Sequence, residues 1–363
     1  MIRAISSLFC LALAVLCIMC IAQENPAGYW LNKGNESWEK ATNAQNQTDI
    51  ELALDEALQS YSKAVELDSG NATLLYFKGV ALYQLALGNE DPEKYNESLG
   101  TFENAIKINP EFAPAWTGKG VVLAGLGRYN DSIEAYDKAL EIDQNSSEAW
   151  EAWMLKSEAF FELGRLDDAL SMINKSIEIN PRNAKALYLK AAYYAETGRS
   201  REALKAFNET LEVDPKQVDA WFWKGDALAT LGSYKEALQA FNRSLEIDPE
   251  YTKAARAWKS KGDVFEALGW EDESKGAYAR AWELYDKSLK LDPSDANAWY
   301  GMGQMLSHQG KYDEAVNAFD RAIELFPRFV IAWYGKGDAL RALGRNAEAE
   351  TAFAKPKELG YDG

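Results

Sequence analysis

The reading of the fold starts at Ala220-Trp221-Phe222-Trp223-Lys224-Gly225, continues through Leu231-Gly232-Ser233-Tyr234-Lys235-Glu236-Ala237-Leu238, and closes with Ala240-Phe241 and Leu245-Glu246-Ile247-Asp248-Pro249. Two stretches of helical apolar period are separated by Leu-Gly and ended by Pro. That punctuation predicts two antiparallel helices joined by a tight turn. Working outward, the same pattern recurs nine times. Its small residue in the first helix falls at Gly34, Gly79, Gly120, Ser157, Ala191, Gly225, Gly262, Gly303 and Gly337, at spacings of 45, 41, 37, 34, 34, 37, 41 and 34.

The motif, with its opening Trp, its Gly or Ala in the first helix, its Leu-Gly turn and its closing Pro, resembles the tetratricopeptide repeat. The resemblance implies an all-α, right-handed superhelical solenoid of antiparallel helix pairs, with residues 27–361 forming nine hairpins as one domain. The spacings exceed 34 by 11, 7, 3, 3 and 7 residues. These are close to whole helical turns of about 3.6 residues, so the extra residues should lengthen helices without rotating their apolar stripes away from the core. The 11 falls between Gly34 and Glu56, one 7 between Gly79 and Glu97, and the other around Glu271 to Gly276.

Trp30, Trp116, Trp153, Trp221, Trp258, Trp299 and Trp333 open seven units, with Leu75 and Leu187 in the other two. Aromatics recurring at this phase are expected to pack at the buried side of each unit, not to line a cofactor box. Pro110, Pro181, Pro215, Pro249, Pro293 and Pro327 close units because proline lacks the N–H that would continue a helix.

Residues 1–22 carry one charge, Arg3, and an apolar run ending Cys20-Ile21-Ala22. They read as a secretory signal cleaved after Ala22, with an uncleaved membrane anchor as the rival reading. All three cysteines, Cys10, Cys17 and Cys20, lie in this segment. The remainder then has no disulfide and no thiolate metal site, and its stability must come from stacking. Asn-x-Ser/Thr triplets occur at Asn35, Asn46, Asn71, Asn96, Asn130, Asn145, Asn174, Asn208 and Asn242, where composition alone gives about two. Three of these, Asn174, Asn208 and Asn242, recur at the repeat period, so their hydroxyl residues are small packing residues first. The other six favour N-glycosylation of a secreted or cell-envelope chain.

The formal net charge of −17 repels phosphate backbones, and no basic cluster offsets it, so nucleic acid is not an expected partner. The one histidine, His308, has neither a cysteine nor a second histidine to work with, so no nucleophilic pair or His-rich metal site is expected. No cofactor and no enzymatic activity are expected either: the carboxylate runs fall on turns, and an open groove is a poor place for paired-acid chemistry.

The candidate binding surface is the groove lined by the first helices, at the residue after the opening Trp and the one four later, which share a helix face. From these two series Met154, Glu158, Tyr188, Phe222, Asp226, Asp263, Tyr300, Tyr334 and Asp338 are the candidate partner-binding residues. Tyr and Phe offer contact area, and the acids favour an extended segment carrying Lys or Arg. Some relatives grip a C-terminal carboxylate with Lys and Asn in these slots. This chain has Lys259 followed by Asp263, so that pattern is missing. Lysine recurs just before the small residue, at Lys33, Lys78, Lys119, Lys156, Lys190, Lys224, Lys261 and Lys336, and reads as a surface row with stems laid over the adjacent helix. Pro356 stands where the last second helix wants a small residue and should kink or end it, leaving an apolar face for self-association.

The expected function is therefore a non-catalytic scaffold that binds proteins or extended peptides outside the cytoplasm, meeting a membrane only through an uncleaved N-terminal segment. The alternatives are a self-assembling cell-surface structural protein and an accessory subunit of an envelope enzyme acting in trans.

Overall fold

The computed structural model describes residues 25–359 apart from 45, 90, 145 and 251–252. The signal reading of residues 1–22 and the sequon at Asn145 lie outside the described residues. Among those described there are eighteen helices and no strand, an all-α helical repeat solenoid. No described helix is long and apolar enough to cross a membrane.

Two compact units emerge, Met1–Tyr193 and Tyr194–Gly363. The first contains the hairpins α1 (Pro26–Asn43) with α2 (Gln47–Leu67), α3 (Ala72–Asn89) with α4 (Pro92–Ile108), α5 (Ala113–Gly125) with α6 (Tyr129–Ile142), and α7 (Ala149–Glu162) with α8 (Leu166–Ile179). Helix α9 (Ala184–Glu196) spans the boundary, and α10 (Ser200–Val213) opens the second unit. There follow α11 (Val218–Thr230) with α12 (Tyr234–Ile247), α13 (Ala254–Ala267) with α14 (Glu271–Leu291), α15 (Ala296–His308) with α16 (Tyr312–Leu325), and α17 (Val330–Ala342) with α18 (Asn346–Glu358). Each Leu-Gly turn places its glycine at positive φ, as at Gly232 (77°), where a Cβ would be strained.

Small residues and rings hold each hairpin closed. The Phe102 ring lies against two glycines, Gly79 of its own hairpin and Gly118 of the next, so closely that a Cβ at either would sit 2.9 and 2.4 Å from it. Phe319 serves Gly303 and Gly335 in the same way, at 2.6 and 2.8 Å. The second helices contribute fully buried small residues, among them Ala64, Ala105, Ala139, Ser176, Thr210, Ser244 and Ala322. One more slot, two turns earlier, holds Ser98, Ser132, Ala169, Ala203, Ala237, Ala315 and Ala349, all likewise buried.

The insertions are lengthened helices. Helix α14 has 21 residues where α16 has 14, two extra turns. Those turns bring in a second ring, so that Tyr278 packs on Gly262 of its own hairpin and Tyr285 on Gly301 of the next. Helices α2 and α3, of 21 and 18 residues, take up the earlier insertions in the same way.

Three expectations need correction. The unit-opening tryptophans are half-buried; the fully buried residue is the alanine before them, as at Ala115, Ala220, Ala257 and Ala332. An indole is too large for the close approach of the helices, so each lies across the hairpin's outer edge. Its N–H donates to the carbonyl of the preceding unit's proline in Trp116 to Pro110 (2.9 Å), Trp221 to Pro215 (2.9 Å), Trp299 to Pro293 (3.0 Å) and Trp333 to Pro327 (3.0 Å). The lysine row is likewise more specific than stems on a surface. In the six units that open with Trp and carry this lysine, its ammonium stands over the indole one turn earlier, from 4.0 Å for Lys261 on Trp258 to 5.8 Å for Lys119 on Trp116, a cation–π contact. Two of the row, Lys156 and Lys261, are buried, and burial pushes the Lys261 ammonium below its usual range.

The third correction concerns Pro356. Helix α18 runs two residues past it to Glu358, and Pro356 itself is buried in the slot that Ala322 fills one repeat earlier. The ring substitutes for a small apolar side chain close to the helix end, where few backbone bonds remain to be lost.

The ring-on-glycine contact makes a direct prediction. Phe319 is fully buried and cannot swing away, so Gly303→Ala should cost about 1–3 kcal/mol of stability by overpacking, measured by urea unfolding. Combining it with Phe319→Leu should recover part of that loss. Strict additivity of the two substitutions would show that the ring and the glycine do not oppose one another.

Candidate functional site

The first helices of successive hairpins touch along one face: α3 with α5 and α5 with α7 in the first unit, and α11 with α13, α13 with α15 and α15 with α17 in the second. The residues on this face follow a stripe. Counting from the opening Trp, positions +1 and +5 are one turn apart, and position −2 extends the stripe by another turn.

Position +1 is largely internal. Met154 and Phe222 are fully buried, which removes both from the expected partner-binding set. Position +1 points into the junction between neighbouring helices. Phe222 lies against Phe241 (5.8 Å between centroids) and Trp223 (5.0 Å), with the Arg256 guanidinium over it at 5.2 Å. Tyr188 and Tyr300 are half-buried and Tyr334 is exposed. Tyr300 packs on Phe319 and Phe329 and accepts a hydrogen bond from Gln304 (2.8 Å).

Position +5 carries the acids. Asp338 is exposed, and Glu158, Asp226 and Asp263 are half-buried. Burial pushes Asp226 above the usual carboxylate range, against the attraction of Arg256 and Lys259. Asp263 pairs with Lys259 (2.9 Å) and accepts from the Tyr278 hydroxyl (2.9 Å), which also donates to Glu266 (2.9 Å). His308 closes this cluster, with Nε2 2.8 Å from Glu266 and its ring 4.3 Å from that of Tyr278. The histidine thus ties α15 to α13 and belongs to the face, a role its sequence position at a helix end did not suggest.

The stripe's third row was missed in the sequence. Position −2 holds Glu151, Lys185, Asp219 and Arg256 in four consecutive units. Extending the stripe back one turn would have found it, since charged residues are rare on packed helix faces. In the second unit Asp219 pairs with Lys253 (2.8 Å), and Arg256 lies over Trp223 (4.5 Å). In the first unit Lys185 pairs with Glu158 (3.1 Å), while Glu151 is only 5% exposed and its Oε1 has no hydrogen-bond donor.

The sequons divide by exposure. Asn46, Asn96, Asn130, Asn208 and Asn242 are exposed, and Asn35, Asn71 and Asn174 are half-buried. Asn35 accepts the Tyr61 hydroxyl (2.9 Å), and Asn46 caps α2 through Asp49 N–H (2.9 Å). The hydroxyl residues of six triplets, Ser37, Ser98, Ser132, Ser176, Thr210 and Ser244, are buried. Ser98 donates to the Gly79 carbonyl (2.7 Å) and Ser176 to that of Trp150 (2.7 Å), so packing accounts for three more of these hydroxyls than the repeat period alone indicated.

Burial pushes the Glu151 carboxyl up to about 8, with Glu158 adding to the shift and Lys185 opposing it. The Tyr76 and Tyr136 hydroxyls, from α3 and α6, also face it, and burial holds both protonated. In the unfolded chain a glutamate titrates near ~4.3. Between that value and about 8 the folded protein keeps a proton that the unfolded chain has lost. Stability from this group is therefore full at the acid end and falls as pH rises through the window. Glu151→Gln, neutral at every pH, should remove that slope and be more stable than wild type at pH ~8, by on the order of a few kcal/mol. Thermal melts across this range check it; parallel pH profiles would show that Glu151 ionises normally.

Family models described as tetratricopeptide repeat match residues 113–146, 142–184, 188–252, 284–317 and 302–356. Among solved structures, the yeast Tom70 is similar at 17% identity over 91% of this chain and 65% of that one, with a TM-score of 0.57. A tetratricopeptide repeat protein from Parabacteroides merdae is similar at 18% identity over 72% of this chain and 98% of that one, with a TM-score of 0.55. No curated protein matches the sequence. The repeat pattern, the ring-on-glycine hairpins and the family matches agree, and the chain belongs to the tetratricopeptide repeat family.

Proposed function

We propose that this protein is a non-catalytic scaffold that holds extended segments of other proteins along the first-helix face. The observation that carries the reading is that the first-helix stripe of each unit combines partly exposed aromatic and acidic side chains, Glu158 and Tyr188 in the first and Asp263, Tyr300, Tyr334 and Asp338 in the second. Helical-repeat arrays present such faces to partners, and aromatics there give contact area at low entropic cost. The acidic balance of the chain favours basic segments. The apolar first 22 residues and the exposed sequons support a setting outside the cytoplasm.

A second reading, self-association through the last hairpin, has its own support. Phe326, Ile331 and Tyr334 are 50%, 45% and 41% exposed, an apolar cluster at that end of the second unit.

Cross-linking with mass spectrometry on the native fraction separates the two. Wild type should be compared with a Glu158→Lys, Tyr188→Ala variant at half-buried positions and a Tyr334→Ala, Asp338→Lys variant at exposed ones, each checked by thermal melt. A distinct partner captured by wild type and reduced at least about tenfold in either variant is the expected result, equivalent to ~1.4 kcal/mol or more. If only copies of the same chain are captured and the first variant changes nothing, self-assembly is the better account.

A further inference from the structure

The first-helix face of residues 25–193 contains one arrangement that packing does not explain. Glu151 lies in the first turn of α7, buried, with Oε1 facing no donor. Two turns along the same helix, Glu158 is ion-paired through Oε1 with the Lys185 ammonium at 3.1 Å. Lys185, from α9, stands over this pair with its side chain partly open to solvent, as is that of Glu158. The charge of Glu158 acts on Tyr83 of α3 and on Tyr136 of α6, and that of Glu151 acts on Tyr76 of α3 and more weakly on Tyr136.

A buried carboxylate with an unused oxygen is costly in a folded protein, whether it is charged and unpaired or neutral and short of a partner. A glutamine or an apolar residue would fill the same space without that cost. Charge counting identifies what is missing. With both carboxylates ionised and Lys185 the one cation beside them among the described residues, the cluster is one positive charge short of neutrality. A cation entering beside the partly exposed Glu158 and Lys185 side chains supplies that charge and gives the free Glu151 Oε1 a donor.

We propose that Glu151 and Glu158 form a seat for one lysine or arginine side chain of a peptide bound along this face. The seat rests on the peptide-binding reading given above and names the chemistry it selects. An ammonium or guanidinium entering the seat forms charge-assisted hydrogen bonds to the carboxylate oxygens. As it does so, the Glu151 carboxyl releases its proton to solvent, so one cation enters for one proton lost and the cluster stays neutral. The tyrosine hydroxyls around it, all held above their usual value by burial, keep their protons throughout. Binding is therefore coupled to pH through Glu151, and it tightens as pH rises toward about 8.

The test uses the full chain and a library of randomised nonapeptides, N-acetylated and C-amidated so that only side chains can carry charge. The wild-type protein should select peptides that share a lysine or arginine, and replacing that residue with norleucine should weaken binding by at least about tenfold. For the lysine peptide, affinity should rise between pH ~6 and ~8 by up to about tenfold per unit, with proton release detected by calorimetry in buffers of different ionisation enthalpy. Glu151→Gln should still select peptides, with the lysine-to-norleucine ratio near one and a flat pH profile. Because removing the buried acid should stabilise the fold, a thermal melt confirms that the variant is intact. Selected peptides without a basic residue, or a lysine preference that survives Glu151→Gln, would overturn the seat and leave the peptide-binding face standing. If the wild type selects no peptide at all, the seat and the face both fall.

Discussion

Everything in this structure depends on how closely two helices approach when one of them offers no Cβ. A ring from the second helix lies on a glycine of the first, and in two hairpins, through Phe102 and Phe319, the same ring lies on a glycine of the following one. That contact sets the distance within each hairpin, fixes which sides of the helices become core, and decides which stripe of the first helix is left over. Lysine-on-indole contacts and indole bonds to proline carbonyls brace the opposite edge. Between the core and that edge, the first-helix stripe keeps aromatic and acidic side chains that are only partly covered.

The two units dress that stripe differently. In the second, Asp226, Lys259, Asp263, Arg256, Glu266, Tyr278 and His308 satisfy one another through ion pairs, hydrogen bonds and ring contacts. In the first, Glu151 is left with an oxygen that no neighbour serves. The contrast matters because a self-satisfied polar network mainly rigidifies, whereas an unsatisfied buried group keeps free energy in reserve for a ligand that completes it.

Much of the architecture was legible in the residues because the contacts that build it are periodic. Gly120, Gly225 and Gly303 recur at a fixed place before their rings, and insertions of about whole turns announce themselves as spacing. Burial at one turn's resolution was harder to read. Met154 and Tyr334 occupy the same repeat position, yet one is inside and the other in solvent, because neighbouring helices decide how much of position +1 is covered. Tryptophan misled in the opposite direction, since its apolar bulk suggests the core while its size excludes it from a helix junction closed on alanine. Glu151 escaped notice because an acid in a first helical turn is ordinary; only its environment makes it unusual. His308 was legible as isolated in sequence, but its bond to Glu266 spans two hairpins and leaves no local trace.

The two-turn extension of α14 carries a mechanical consequence. Where a single ring such as Phe319 bridges two hairpins, withdrawing it from one also withdraws it from the other, and disorder at one hairpin is felt at its neighbour. In α14 that duty is divided between Tyr278 and Tyr285, two turns apart, so either contact can open while the other holds. This junction therefore transmits strain less faithfully than the one bridged by Phe319. It acts as a fuse in an otherwise cooperative stack, confining fraying of the last two hairpins before it reaches the rest of the second unit.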